Sequence, residues 1–164
     1  MADTSPQDAC REAALRLLER RDHARRELAR KLRQRNHEAQ VIESVLDALA
    51  QSGLVDDAAF ARSYVDFVLA GSRPVGRRKV ALDLRRKGVD EAIVQQVLAE
   101  RWPGDDEERE RARRAAESKL RLIGGRDNPR RIQAKLYRFL AGRGFPPAVC
   151  RDIAVELCGE SSEF

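Results

Sequence analysis

An all-α fold built from three tandem three-helix repeats, in an elongated and curved array, is what this sequence predicts, and three observations carry that expectation. Apolar residues recur at helical spacings, and no stretch alternates apolar and polar residues for more than a few positions. Charged residues make up 36% of the chain and aromatics only 5%, which suits helices with thin apolar stripes better than a thick sheet core. Finally, one unit is written three times. With Leu32, Leu84 and Leu140 in register, at offsets of 52 and 56 residues, the segments ELARKLRQRNHEAQV, VALDLRRKGVDEAIV and LYRFLAGRGFPPAV align without gaps.

Each position of that register has a physical reading. Leu28, Val80 and Leu136 stand four residues before the shared leucine and give each segment an i, i+4 apolar stripe. Asn36, Gly88 and Gly144 stand four residues after it. Glycine, and asparagine second, takes the left-handed conformation that closes a helix, so these three mark the same closing position. Val41, Ile93 and Val149 then open a second helix, for which Asp90 suits the N-cap of the second copy and Pro147 the first turn of the third. A further helical segment precedes each pair: Ala9 to Arg21, Asp56 to Leu69 with Phe60, Tyr64 and Phe67 as its stripe, and Asp105 to Leu122 with Ala112, Ala116 and Leu120. A three-helix unit recurring about every 50 residues implies an array in which neighbours help to bury one another's small cores. The expected repeats are 9–52, 53–103 and 104–158, with joints near Gly53 and Gly104 and disordered tails at 1–8 and 159–164.

The net charge of +5 hides a segregation. Arg20–Asn36, Gly71–Asp90 and Arg126–Gly144 together carry +16, which leaves −11 for the rest. The surplus falls on the middle helix of each unit, the footprint expected for a phosphate backbone or an acidic protein groove. Its candidate binding residues are Arg25, Arg26, Arg30, Lys31 and Arg33 in the first copy, Arg77, Arg78, Lys79, Arg85 and Arg86 in the second, and Arg130, Arg131, Lys135 and Arg138 in the third. Arg26, Arg30 and Arg33 share a face with no acid to offset them along the helix. The cation before each closing residue, Arg35, Lys87 or Arg143, complements the carbonyls of the last turn. Reading of DNA sequence by a helix-turn-helix is disfavoured, because the last helices begin with Glu38, with Asp90 and Glu91, or with two prolines, and would set carboxylates against phosphates. Tyr137 and Phe139 are the only aromatics on the basic helices, few for stacking bases.

Other constellations read as structural. Cys10, Cys150 and Cys158 lack ligand spacing and suit buried thiols. His23 and His37 suit surface or capping positions, Asp56 and Asp57 the N-terminus of the helix they precede, and Trp102 a wedge between the second and third units. No motif of a phosphate-binding loop, nucleophile elbow or zinc protease occurs, so neither enzyme, metal nor cofactor is expected. No apolar run or N-terminal pattern suggests a membrane span or signal peptide, and a cytoplasmic protein is expected.

Taken together, RRDHARRELARKL, GLVDDAAFARSYV, LRRKGVDEAIV and FLAGRGF closely resemble the RecX family of bacterial recombination regulators, from about Ala14 to Leu157. The resemblance implies a monomeric, non-enzymatic partner of the RecA recombinase. Such a protein lies in the groove of the RecA filament on single-stranded DNA, dampens ATPase, strand exchange and coprotease activity, and itself binds single- or double-stranded DNA weakly. One departure is that the family's Ser or Thr in an S/T-x-x-E-L capping box is Ala24 here, so Asp22 is expected to cap the helix.

Overall fold

The computed structural model describes residues 5–123 and 128–159. Over these it is helical: α1 Pro6–Leu18, α2 Arg25–Arg33, α3 Ala39–Gln51, α4 Asp57–Ala70, α5 Arg77–Arg86, α6 Glu91–Arg101, α7 Asp105–Ile123, α8 Pro129–Gly142 and α9 Pro147–Gly159. The expected tails at 1–4 and 160–164 lie outside the described residues. Residues 6–8, expected in the N-terminal tail, are instead helical. Ser5 caps α1 by accepting the Asp8 amide at 3.1 Å, and Pro6 fills a first-turn position whose missing N–H costs nothing.

The repeat is written in the burial as clearly as in the sequence. Leu28, Val80 and Leu136 are fully buried, and so are Leu32, Leu84 and Leu140. On the second helix of each pair the first fully buried residue is one place beyond the aligned Val41, Ile93 and Val149, at Ile42, Val94 and Cys150. Each shared leucine also closes its turn in one way. Its carbonyl accepts the amide of the residue after the closing one, from His37 at 3.3 Å, Val89 at 3.1 Å and Phe145 at 3.3 Å. The closing residues between them, Asn36, Gly88 and Gly144, have φ of 63°, 91° and 83°.

Two compact units arise. One holds residues up to Tyr64 together with Asp83–Val97, and the other holds Val65–Leu82 and the residues from Leu98 onward. The division passes through α4, α5 and α6, so the middle repeat contributes to both. In the first unit α1, α2 and α3 pack pairwise around Cys10, Ala14, Leu28, Leu32, Ile42 and Leu46. In the second, α7, α8 and α9 pack pairwise around Ala112, Ala116, Leu136, Leu140, Phe145 and Ile153. All three cysteines are free and buried, and burial pushes each thiol up.

Two side chains depart from expectation. Phe67 is 76% exposed, because α4 turns Phe60, Ala61 and Val65 inward instead. His23 is buried at 3% exposure, with Nδ1 2.8 Å from the Arg21 carbonyl; burial pushes its pKa down and keeps the ring neutral. Trp102 is buried beside Arg111, whose guanidinium carbon lies 5.8 Å from the centre of the indole. Trp102, at the end of the second repeat, therefore packs on the first helix of the third, in keeping with a wedge between these repeats.

Candidate functional site

The basic helices α2 and α5 begin without caps of their own, and that defect organises the structure around them. Ala24 has no hydroxyl, and Asp22 does not cap α2; no side chain of the N-cap residue reaches the first turn. The Arg25 amide instead donates to the Asp57 carboxylate at 2.7 Å. One repeat later the Arg77 amide donates to the Glu108 carboxylate at 2.9 Å. Asp57 therefore serves α2 from the first turn of α4, while Asp56 alone caps α4 by accepting the Ala59 amide at 2.9 Å. A carboxylate at a helix N-terminus satisfies an open donor and faces the positive end of the dipole. In each case the first helix of one repeat caps the middle helix of the repeat before it.

The closing glycines meet the same first turns. A Cβ on Gly88 would stand 2.5 Å from Arg26 Cβ, and one on Gly144 would stand 2.3 Å from the Lys79 amide nitrogen. Gly76 donates its amide to the Arg143 carbonyl at 2.8 Å, and the Arg78 amide donates to Gly144 at 3.2 Å. The N-terminal turns of α2 and α5 are thus seams between successive repeats. Removing either capping acid, as Asp57→Ala or Glu108→Ala, should lower stability by about 1–2 kcal/mol. Urea unfolding checks this, with the larger loss expected for the 5%-exposed Glu108.

Ion pairs, within a repeat or across a seam, account for many of the predicted binding residues. Arg25 spans Glu43 and Asp47 at 2.9 and 2.7 Å. Arg26 meets Asp90 at 2.8 Å, Arg33 reaches Glu43 at 3.9 Å and Lys31 lies 4.0 Å from Glu27. The expectation that Arg26 and Arg33 lack an offsetting acid is therefore corrected: the acids come from α3 and the α5–α6 turn, out of reach of any reading along one helix. Arg30 and Arg86 are exposed and have no ion-pair partner among the described residues. Arg85 is clamped by Glu91, whose carboxyl is held at about 2 by hydrogen bonds from Arg85 and Gln95. Arg77 and Lys79 are half-buried at the second seam, with Arg78 exposed beside them.

Glu27, at the capping-box position, turns aside to bind Arg21 at 2.5 Å. Burial pushes this carboxyl up, but the Arg21 bond and charge outweigh it and hold the group below its ordinary value. The cations before the closing residues do not sit on their own helix ends. Arg35 donates to the Ala13 carbonyl at 3.4 Å, Lys87 stands 5.4 Å over the Tyr64 ring, and Arg143 stacks on Phe139 and donates to Pro74 at 3.0 Å.

These pieces enclose a groove of about 630 Å³ in the first unit, between α2 and α3. Arg25, Arg26, Arg30 and Arg33 line it, with Ala29 and Leu46 at its floor and Glu43, Asp57 and Asp90 among them. Four cations therefore face three acids, and the groove is nearly neutral. A second groove of about 400 Å³ lies between α8 and α9, lined by Arg130, Gln133, Ala134, Tyr137, Arg138, Arg151 and Ala154. Among the described residues no acid lines it. Arg130, Arg131, Lys135 and Arg138 are all exposed on α8, whose N-terminus is capped within the same repeat by Asn128, accepting the Arg130 amide at 2.9 Å. Sequence reasoning missed Arg151 because α9 is not a basic helix; its place in the register, opposite α8, was the available signal. Among the described residues no cluster of three or more metal-ligating side chains occurs, and no helix is long and apolar enough to cross a membrane.

Comparison with known proteins accords with this architecture. Family models described as the first, second and third three-helix domains of RecX match residues 10–49, 56–98 and 105–153. The chain is 40% identical over 161 residues to the regulatory protein RecX of Chlorobium limicola, covering 96% of this chain and 94% of that one. It is 40% identical over 152 residues to the regulatory protein RecX of Mycobacterium sp. strain KMS, covering 89% and 80%. The crystal structure of RecX from Lactobacillus salivarius superposes with a TM-score of 0.78 at 27% identity, over 96% of this chain and 98% of that one. Three matched domains in chain order and identity across nearly the whole length place this chain in the RecX family.

Proposed function

We propose that this chain is a non-enzymatic regulator of homologous recombination and DNA repair, including the SOS response. It binds RecA and the RecA filament on single-stranded DNA and restrains the filament's ATPase, strand exchange and coprotease activity. The observation that carries the reading is the 40% identity across 96% of the chain to a regulatory protein of this family. The charge pattern supports it, since cations concentrated on one helix of every repeat suit a regular anionic surface. The protein acts as a cytoplasmic monomer built of repeats at 9–52, 53–103 and 104–158.

Within this reading the exposed arginines without an acid partner among the described residues hold the filament. Arg30, Arg86 and the α8 arginines Arg130, Arg131 and Arg138 contact it, while Arg25, Arg26 and Arg85 hold the fold. The test is the anisotropy of labelled single-stranded DNA, bare or coated with RecA, at physiological salt. The chain should bind the filament more tightly than bare strand, and Arg30→Glu or Arg86→Glu should weaken filament binding. Equal affinity for strand and filament would instead mark a general nucleic-acid-binding protein, a reading that the exposed arginines of the α8–α9 groove favour.

A further inference from the structure

The two grooves are copies of one another. Shifted by the summed offset of the repeats, Arg25 falls on Gln133, Ala29 on Tyr137, Arg30 on Arg138, Glu43 on Arg151 and Leu46 on Ala154. In the first copy the following repeat reaches in with Asp57 and Asp90. Ala29 there, and its counterpart Ala81 in the second copy, are each only 6% exposed. Such small side chains suit a seam.

The third copy inverts each of these features. Tyr137, in place of the alanine, is 36% exposed. Arg151 replaces the acid Glu43, and among the described residues no carboxylate lines the groove. Arg130, Arg138 and Arg151 have no ion-pair partner among the described residues, and Arg138 makes only a 3.3 Å bond to the Ala134 carbonyl. Nor is there a free helix end for a capping carboxylate. α8 starts a full turn earlier than α2 in the register, and the amides of Arg130, Arg131 and Ile132 are already taken by Asn128.

We infer that the α8–α9 groove is a binding site for a single strand of nucleic acid, with a base stacked on Tyr137 and the flanking phosphates held by Arg130, Arg138 and Arg151. Every base has a π-face, so an exposed aromatic set among arginines binds strands with little regard to sequence. Arginine forks match phosphate oxygens. The Gln133 amide, offering both donor and acceptor, lies where a base edge would be. A duplex keeps its bases stacked within itself and cannot use the tyrosine.

The inference does not depend on the recombinase proposed above, and its test contains none. Labelled oligo-dT and oligo-rU strands and a hairpin duplex of equal length are titrated with the full chain, with anisotropy as the readout; the dT and rU arms separate DNA from RNA. Tyr137→Ala should weaken strand binding about tenfold or more, with duplex binding unchanged, while Tyr137→Phe stays within about threefold of wild type. Arg151→Gln should weaken binding and lower the salt slope by about 0.7. Arg26→Gln, in the acid-filled groove, should leave both intact. Thermal melting of each variant verifies its fold, and Arg130→Gln replaces Arg151→Gln if the latter melts early. Strand binding unaffected by Tyr137→Ala, an equal loss for Arg26→Gln, or stronger competition by polyglutamate than by unlabelled strand would overturn the assignment, the last giving the groove to an acidic protein.

Discussion

Gly144→Ala should cost about 2–5 kcal/mol in urea unfolding. Two independent terms combine. Gly144 sits at φ 83°, where a Cβ costs about 1–2 kcal/mol. That Cβ would also stand 2.3 Å from the Lys79 amide nitrogen and 2.9 Å from Lys79 Cα, atoms of a helix backbone that cannot swing aside as a side-chain tip can. Forced overpacking of this kind adds about 1–3 kcal/mol. Gly76→Ala probes the same contact from its other side, since its Cβ would meet the Gly144 carbonyl oxygen at 2.3 Å. Gly53→Ala is the control. Its φ is 75° but nothing lies within 4 Å of the added carbon, so only the conformational cost of about 1–2 kcal/mol should appear. Equal losses at Gly53 and Gly144 would show that the turn before α9 does not press on α5.

The second large effect is expected at the register leucines. Leu32→Ala and Leu140→Ala should each lower stability by about 2–5 kcal/mol, because each removes a fully buried side chain from a core too small to collapse around the void. The two leucines belong to different cores, so the losses should add in the double variant, to within about 0.5 kcal/mol. Set against the roughly 5–15 kcal/mol of an ordinary domain, the double variant should be largely unfolded. Arg86→Ala, on an exposed position of α5, should change stability by less than about 0.5 kcal/mol. Losses of that small size at Leu32 or Leu140 would contradict the shared register.

What was legible in the sequence is what one helix or one turn decides. Leu28, Leu32 and their counterparts are buried because an i, i+4 stripe has to be. Asn36, Gly88 and Gly144 take positive φ because a helix closing at that point requires it. The less legible part is contact between elements far apart in the chain. Ala24 announced a missing cap, but the nearest acid, Asp22, was the wrong replacement; the right one, Asp57, lies 32 residues from Arg25 and arrives only when α4 packs. The register could have exposed it, since Glu108 stands in almost the same relation to Arg77, 31 residues on. The arginine stripe misled for a similar reason. Charge along α2 is uncompensated, yet Glu43, Asp47 and Asp90 reach it from other elements. A basic helix read alone cannot show which of its cations are already engaged.

Steady-state ATP hydrolysis by RecA on single-stranded DNA, measured while this chain is titrated in, tests the central proposal most directly. The expected result is a fall in rate that saturates with added chain and is weakened by Arg30→Glu and Arg86→Glu, with hydrolysis by the chain alone absent. A rate that stays constant up to a large excess of chain, under conditions where the folded protein is present throughout, would contradict it.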